Sequence, residues 1–189
     1  MEKIFLTAAL LFLNSLLFSQ DTTTPTEFNL DFEKLVSGEE LPTGWFRWGD
    51  EQFELIPDST TIHSGKMAVL IQPKEGSSAT TFGCVAYRIP AQYKANKIEV
   101  KAYMKLEDVT DPIGLMIRVD GKSGVLSFDN MQKRGIKGTS DWNQYAVKVS
   151  YPDHAQNIFI GAILSGKGKL WVDNFEVLLD GKNCRTRIA

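Results

Sequence analysis

Three groups of residues carry the polar and aromatic chemistry of this 189-residue chain. Arg118 lies in an alternating apolar run. The segment Asp129-Asn-Met-Gln-Lys-Arg-Gly135 is charged at both signs and richer in hydrogen-bonding groups than a connector needs. Trp45-Phe-Arg-Trp48 brings indoles and a guanidinium close together in the chain. These are the residue types of reversible binding. Aromatic rings stack on the apolar faces of pyranose rings, and Arg, Asp, Asn and Gln bond the hydroxyls. A site of that kind needs exposed aromatics beside fixed polar groups. The candidate ligand-binding residues are Trp45, Arg47, Trp48, Arg118, Asp129, Asn130, Gln132 and Arg134. Each has a structural alternative. Trp45 and Trp142 can pack at a sandwich edge, Trp171 in the core, and Met131 as a plug over it. Arg118 can pair with Asp129 or Asp120 as an ordinary surface ion pair, which contributes little.

Covalent chemistry has less support. The chain has two histidines, His63 and His154, both expected in solvated loops. It contains no Gly-x-Ser-x-Gly elbow, no HExxH zinc helix and no P-loop. A glycosidase-type pair needs two convergent carboxylates, and nothing in the sequence singles one out. The expectation is a non-catalytic protein.

The elements that must position these groups read as strands. Ile113, Leu115, Ile117 and Val119 alternate with Gly114, Met116, Arg118 and Asp120, the period of a strand with one buried face. Asp120-Gly121 supplies a turn, and Gly124 to Phe128 starts a second strand. Ile98, Val100, Ala102, Met104 and Leu106 form another inward-facing set, with Glu99, Lys101, Tyr103 and Lys105 facing out. Further strands are expected at Phe28–Glu33, Trp45–Trp48, Gln52–Ile56, Met67–Ile71, Thr81–Ile89, Tyr145–Val149, Asn157–Leu164 and Leu170–Leu179. Met67–Ile71 lacks alternation, as a strand covered on both faces would. No run follows the i, i+3, i+4, i+7 spacing of a long helix. About nine to eleven short strands with turn-rich joints predict an all-β, antiparallel sandwich.

Length and charge agree with one small domain. The net charge is −2, with no strongly basic stretch, so nucleic acid is not an expected partner. Met1-Glu-Lys3 and the apolar run Ile4–Leu13 read as a secretory signal peptide over residues 1–20, cut after Ser19 or Gln20. The alternative is a membrane anchor, for which the run is short and broken by Asn14 and Ser15. The expected product is secreted or periplasmic, with no stable membrane span after cleavage. Residues 21–26 read as a linker, 27–180 as the sandwich and 181–189 as a loose tail. Cys84 and Cys184 can pair in an oxidising compartment or remain separate; two thiols fix no geometry.

Asn29-Leu-Asp-Phe-Glu33, Gly44-Trp45, His63-Ser-Gly-Lys66, Asp141-Trp142-Asn-Gln-Tyr145 and Trp171-Val-Asp-Asn-Phe175 occur in that order. The ordered set resembles the galactose-binding-like jelly rolls, a group that includes many carbohydrate-binding modules, over residues 27 to 180. Phe128-Asp-Asn-Met-Gln132, Arg134–Thr139 and Asp141-Trp142 also look like an N-terminal module of secreted Bacteroidetes-type hydrolases. There such a module precedes a serine peptidase or an erythromycin-esterase-like domain. This chain stops where that catalytic domain would start. The resemblance implies a structural Ca²⁺ held by Glu33 or Asp31, by backbone at Ser64 to Lys66, and by Asp173. Hard oxygen donors from distant segments suit that ion. The alternative is that these carboxylates bond only backbone N–H groups. Two functions follow: a secreted non-catalytic binding module for carbohydrate, or an accessory module docking a secreted hydrolase domain. Sugar binding predicts a groove rimmed with aromatics. Docking predicts a broad apolar patch, with Tyr103, Met116 and Phe159 clustered on it.

Overall fold

The computed structural model describes residues 27–77 and 81–185; the expected signal peptide and linker lie outside them. Eleven strands form two antiparallel sheets. β1 (Trp45–Gly49), β4 (Phe82–Pro90), β9 (Ala155–Ser165), β6 (Gly114–Gly121) and β7 (Gly124–Asp129) make one sheet, in that spatial order. β2 (Phe53–Asp58), β3 (Ala68–Pro73), β10 (Lys169–Leu179), β5 (Lys97–Val109) and β8 (Gly138–Ser150) make the other, with β11 (Lys182–Asn183) paired to β10. The chain crosses repeatedly between sheets, as a jelly-roll sandwich requires.

The core lies between the sheets, where the alternation places it. Ile98, Val100, Ala102 and Met104 of β5 are fully buried, as are Leu115, Ile117 and Val119 of β6 and Ile158, Ile160, Ala162 and Leu164 of β9. β10 needs a correction of parity to keep its apolar residues inside. Its ladder with β5 shifts between Asp173 and Glu176, and Asn174 takes a left-handed backbone (φ 53°). The extra residue lets Val172, Phe175 and Val177 all face the core. β3 is buried at Ala68, Val69, Leu70 and Ile71, matching its lack of alternation.

Two expectations are corrected. Phe28–Glu33 is not a strand. Phe28, Leu30 and Phe32 are buried, but Phe32 adopts φ 63° and bends the segment. Asn29 holds the bend: its side chain accepts from Lys34 N (2.9 Å) and donates to the carbonyls of Lys34 (2.9 Å) and Thr43 (3.1 Å). The tail is tied down as far as Arg185. β11 pairs with β10, Cys184 is buried in the core, and Phe28 N donates to Arg185 O at 2.9 Å. Cys84 and Cys184 are both free: the first lies on the outer face of β4, the second in the core beyond β11.

Candidate ligand-binding face

The outer face of the five-stranded sheet is built from cross-strand rows. Trp48, Cys84, Ile163 and Gly114 lie in one row across β1, β4, β9 and β6. Phe46, Ala86, Gly161 and Met116 form the next. Arg88, Phe159, Arg118 and Phe128 form a third, reaching β7. Apolar residues fill positions that would be polar on a merely solvated sheet. Cys84, Ala86 and Met116 are buried there, beneath Trp48, Phe159 and Ile163 and apart from the main core. Burial pushes the Cys84 thiol far above its ordinary pKa, so it is a packed neutral group. Phe46, Phe82, Val125 and Phe128 remain exposed around this cluster.

A cleft of about 330 Å³ opens on this face. Trp48, Phe82, Met116, Phe128 and Ile163 give it apolar walls, and Arg118, Asn130, Gln132 and Ser165 supply polar groups. Trp48 is set by Phe46 (6.2 Å between ring centroids, stacked) and by Phe159 (5.3 Å, edge-on). The Arg118 guanidinium lies 5.4 Å from the Trp48 ring centroid, within cation–π range. Its Nε donates to Asp120 Oδ1 at 2.7 Å, which holds the guanidinium's pKa above its ordinary value.

The loop after β7 is shaped by its own side chains. Asp129 accepts from Met131 N (2.7 Å) and from Arg134 (3.1 Å), whose other η nitrogen donates to Ala146 O (2.8 Å). Met131 takes φ 60° and buries its side chain over Gly114. It is the plug that its apolar character inside a polar loop implied. The Met131 anchor leaves Asn130 and Gln132 facing the cleft. A Cβ added at Gly114 would strike Met131 Cβ and lie 2.8 Å from Asn130 O. Gly114→Ala is therefore expected to displace the loop and reshape the cleft while the sheet remains folded. Hydrogen exchange over residues 129–135 checks this: unchanged protection would show that the loop accommodates the methyl group.

The eight candidate residues are divided by this geometry. Trp48, Arg118, Asn130 and Gln132 meet at the cleft. Trp45 is in the core against Phe32, Tyr87 and Phe175, and its indole N–H donates to Asn29 O at 2.6 Å. Arg47 shares Trp45's side of β1 and donates to Phe53 O at 2.6 Å. Asp129 and Arg134 brace the loop. Phe82, Phe128, Met116 and Ile163 were missed as lining residues. Their signal was available: apolar side chains at outward positions on adjacent strands. Tyr103, Met116 and Phe159 do not cluster, because Tyr103 belongs to the other sheet.

The other sheet carries a second constellation under the β2–β3 loop. His63 is half-buried rather than freely solvated: it stacks on Tyr103 at 3.5 Å and meets Trp142 edge-on at 5.7 Å. Trp171 is buried on this outer side rather than in the main core, and its indole donates to Asp58 at 2.8 Å. That bond and those from Thr60 and Thr61 overcome burial and hold Asp58 down at about 2. His154 is exposed, as expected.

The carboxylates expected to hold calcium, Asp173 and Glu33, each bond the loop of residues 63–67, through its N–H donors. Asp173 Oδ2 accepts from His63 N (3.0 Å) and Ser64 N (2.9 Å). Glu33 Oε1 accepts from Lys66 N (2.7 Å) and Met67 N (3.1 Å). Asp31, the alternative to Glu33, accepts only from Glu33 N (3.3 Å) among the described residues. Asp173 Oδ1 is buried without a partner, and desolvation raises this carboxyl's pKa despite the amide bonds. A fully buried carboxylate oxygen without a donor fits a cation-binding role. Among the described residues, no three His, Cys, Asp or Glu side chains converge. A cation here would therefore draw further ligands from main-chain carbonyls or water.

The fold and this face define the class: an antiparallel β-sandwich with an aromatic-walled cleft on one sheet. No protein-family model matches the chain. A 135-residue stretch is 31% identical to an uncharacterized HTH-type transcriptional regulator, YbfP, of Bacillus subtilis (strain 168). That match covers 69% of this chain but 46% of the regulator, so the chain spans under half that relative's length. Solved structures with a similar fold include the xylan-binding domain of carbohydrate-binding module family 22 (12% identity, 85% of this chain and 98% of that one, TM-score 0.56). TmCBM61, solved with β-1,4-galactotriose, is also similar (15% identity, 82% and 98% coverage, TM-score 0.53). So is the enzymatically active domain of bacteriophage CBA120 tailspike protein 4 (13% identity, TM-score 0.57), of which the match covers 21% against 82% of this chain. At these identities the likeness is one of fold. No helix among the described residues is long and apolar enough to cross a membrane.

Proposed function

We propose that this protein is a non-catalytic, secreted or periplasmic carbohydrate-binding module that takes its ligand on the outer face of the five-stranded sheet. The observation that carries this reading is the cleft of about 330 Å³ in which Trp48, Phe82 and Phe128 surround Arg118, Asn130 and Gln132. A pyranose ring stacks on the aromatics, its hydroxyls bond the polar groups, and the aromatic contacts beneath Trp48 keep the site preformed. The carbohydrate-binding modules sharing this fold support the reading. Ca²⁺, held by Asp173 and Glu33, braces the opposite sheet and does not touch the ligand.

The test is a glycan-array and polysaccharide pull-down screen, with Arg118→Ala alongside. Binding should fall about ten- to a hundredfold in the variant, the loss expected for a hydrogen bond from a charged group. Its melting curve should stay close to wild type, because the Arg118 side chain is 32% exposed. A folded protein that retains no glycan would sink the proposal.

The exposed side chains of Phe46, Phe82, Val125 and Phe128 favour a second reading. In it the same face docks a secreted hydrolase of the Bacteroidetes type. Such a partner would bury all four residues. A sugar chain in the cleft would leave Val125 accessible.

A further inference from the structure

The charge on the cleft face narrows the ligand class. Among the described residues no carboxylate lines the cleft, and Arg118 is the one charged side chain in it. Asp120 takes only the Nε edge of that guanidinium, and no described residue accepts from its η nitrogens. Arg88 lies in the same row, with Phe159 between the two arginines, and has no ion-pair partner among the described residues. With strands spaced about 4.8 Å apart, the two arginines are roughly 10 Å apart across the face. Arg88 and Arg118 thus give this row two cations, against the one carboxylate of Asp120 in the next row, on a chain whose overall charge is −2.

The hydrogen-bond inventory points the same way. The cleft offers a charged donor at Arg118 and neutral donors and acceptors at Asn130, Gln132 and Ser165; Asn130 Oδ1 already accepts from Gln132 N at 3.2 Å. The neutral groups suit sugar hydroxyls, which donate as well as accept. The charged donor, with no carboxylate opposite it among the described lining residues, favours a ligand that also carries an anionic acceptor. The free edge of a planar guanidinium, fixed by Asp120 on one side and Trp48 beneath, matches a carboxylate in fork geometry.

We propose that the cleft selects an acidic glycan: a uronate residue stacks on the aromatic wall and presents its carboxylate to the η nitrogens of Arg118, with Arg88 attracting the neighbouring acidic unit. This rests on the carbohydrate reading above. The two are separated by matched probes: glucuronoxylan, polygalacturonate and alginate, each beside the same polymer with its carboxyls reduced to hydroxymethyl groups. The expected result is retention by at least one acidic polymer, with about ten- to a hundredfold weaker binding to its reduced partner. Retention should also weaken as salt rises from 20 to 500 mM, about three- to tenfold. Arg118→Gln should remove the preference for the acidic form, and Arg118→Lys should keep the charge but lose most of the affinity, because it lacks the fork. Equal binding of the acidic and reduced polymers would overturn the uronate proposal while leaving sugar binding intact. No binding to any member, by a protein with an unchanged melting curve, would overturn both.

Discussion

Trp45→Ala is expected to lower the melting temperature by on the order of 10 °C, whereas Trp48→Ala, three residues along the same strand, should leave the fold nearly intact and remove glycan binding. Trp45 is 6% exposed and wedged among Phe32, Tyr87 and Phe175. Truncation leaves a cavity and deprives Asn29 O of the indole donor. Losses of about 3–5 kcal/mol are typical of such a change, and at this chain length each kcal/mol moves the midpoint by about 2–4 °C. Trp48 rests on Phe159 and Phe46 at the surface, so its removal exposes a rim and opens no core cavity. Thermal melts beside pull-downs on both variants decide the matter. A Trp48 variant that binds normally would place the site elsewhere. A Trp45 variant as stable as wild type would contradict the packing described for β1.

The second large effect concerns Asp173. Its carboxyl is fully buried, and desolvation raises its pKa above the ordinary 3.8 despite two amide donors. The folded state thus holds this proton more tightly than the unfolded chain. The contribution is favourable below 3.8 and is lost as pH rises through the raised value. In chelator, wild type should therefore lose stability relative to Asp173→Asn from pH 3.8 upward. Calcium would reverse the sign, because it binds only the ionised form. At a hundred to a thousand times its dissociation constant an ion adds about 2.7–4 kcal/mol. Wild type at pH 7 should then melt several degrees higher in Ca²⁺ than in chelator, and Asp173→Asn should not respond. Identical wild-type melts in both buffers would remove the ion and leave a buried carboxylate that costs stability.

Much of the sandwich was legible because period-2 alternation reports burial directly. The inward sets of β5, β6 and β9 are buried as the pattern requires. The same rule, applied to β1, separates Trp45 and Arg47 from Trp48, since residues an odd number apart point to opposite faces. The eight candidate residues could not all have shared one groove. Two features left no local trace. Phe28–Glu33 alternates like a strand, yet Asn29 ties the chain to Lys34 and Thr43, a contact known only once the fold is formed. The loop after β7 is oriented by Met131 seated over Gly114, a pairing of residues from separate strands' ends. The aromatic cleft itself depends on rows across four strands, and strand order cannot be read from any one strand.

The hydrogen bond from Phe28 N to Arg185 O places both ends of the sandwich at one spot. A domain whose ends meet behaves as a cassette. It can be spliced into a surface loop of a host with little more loop-closure entropy than a short turn requires. Its two ends depart together, so a single point of attachment would leave the body of the sandwich free to swivel. Pulling on both ends would first load the 2.9 Å bond between Phe28 and Arg185 and then the short β11 pairing, and the long ladders behind them would be spared.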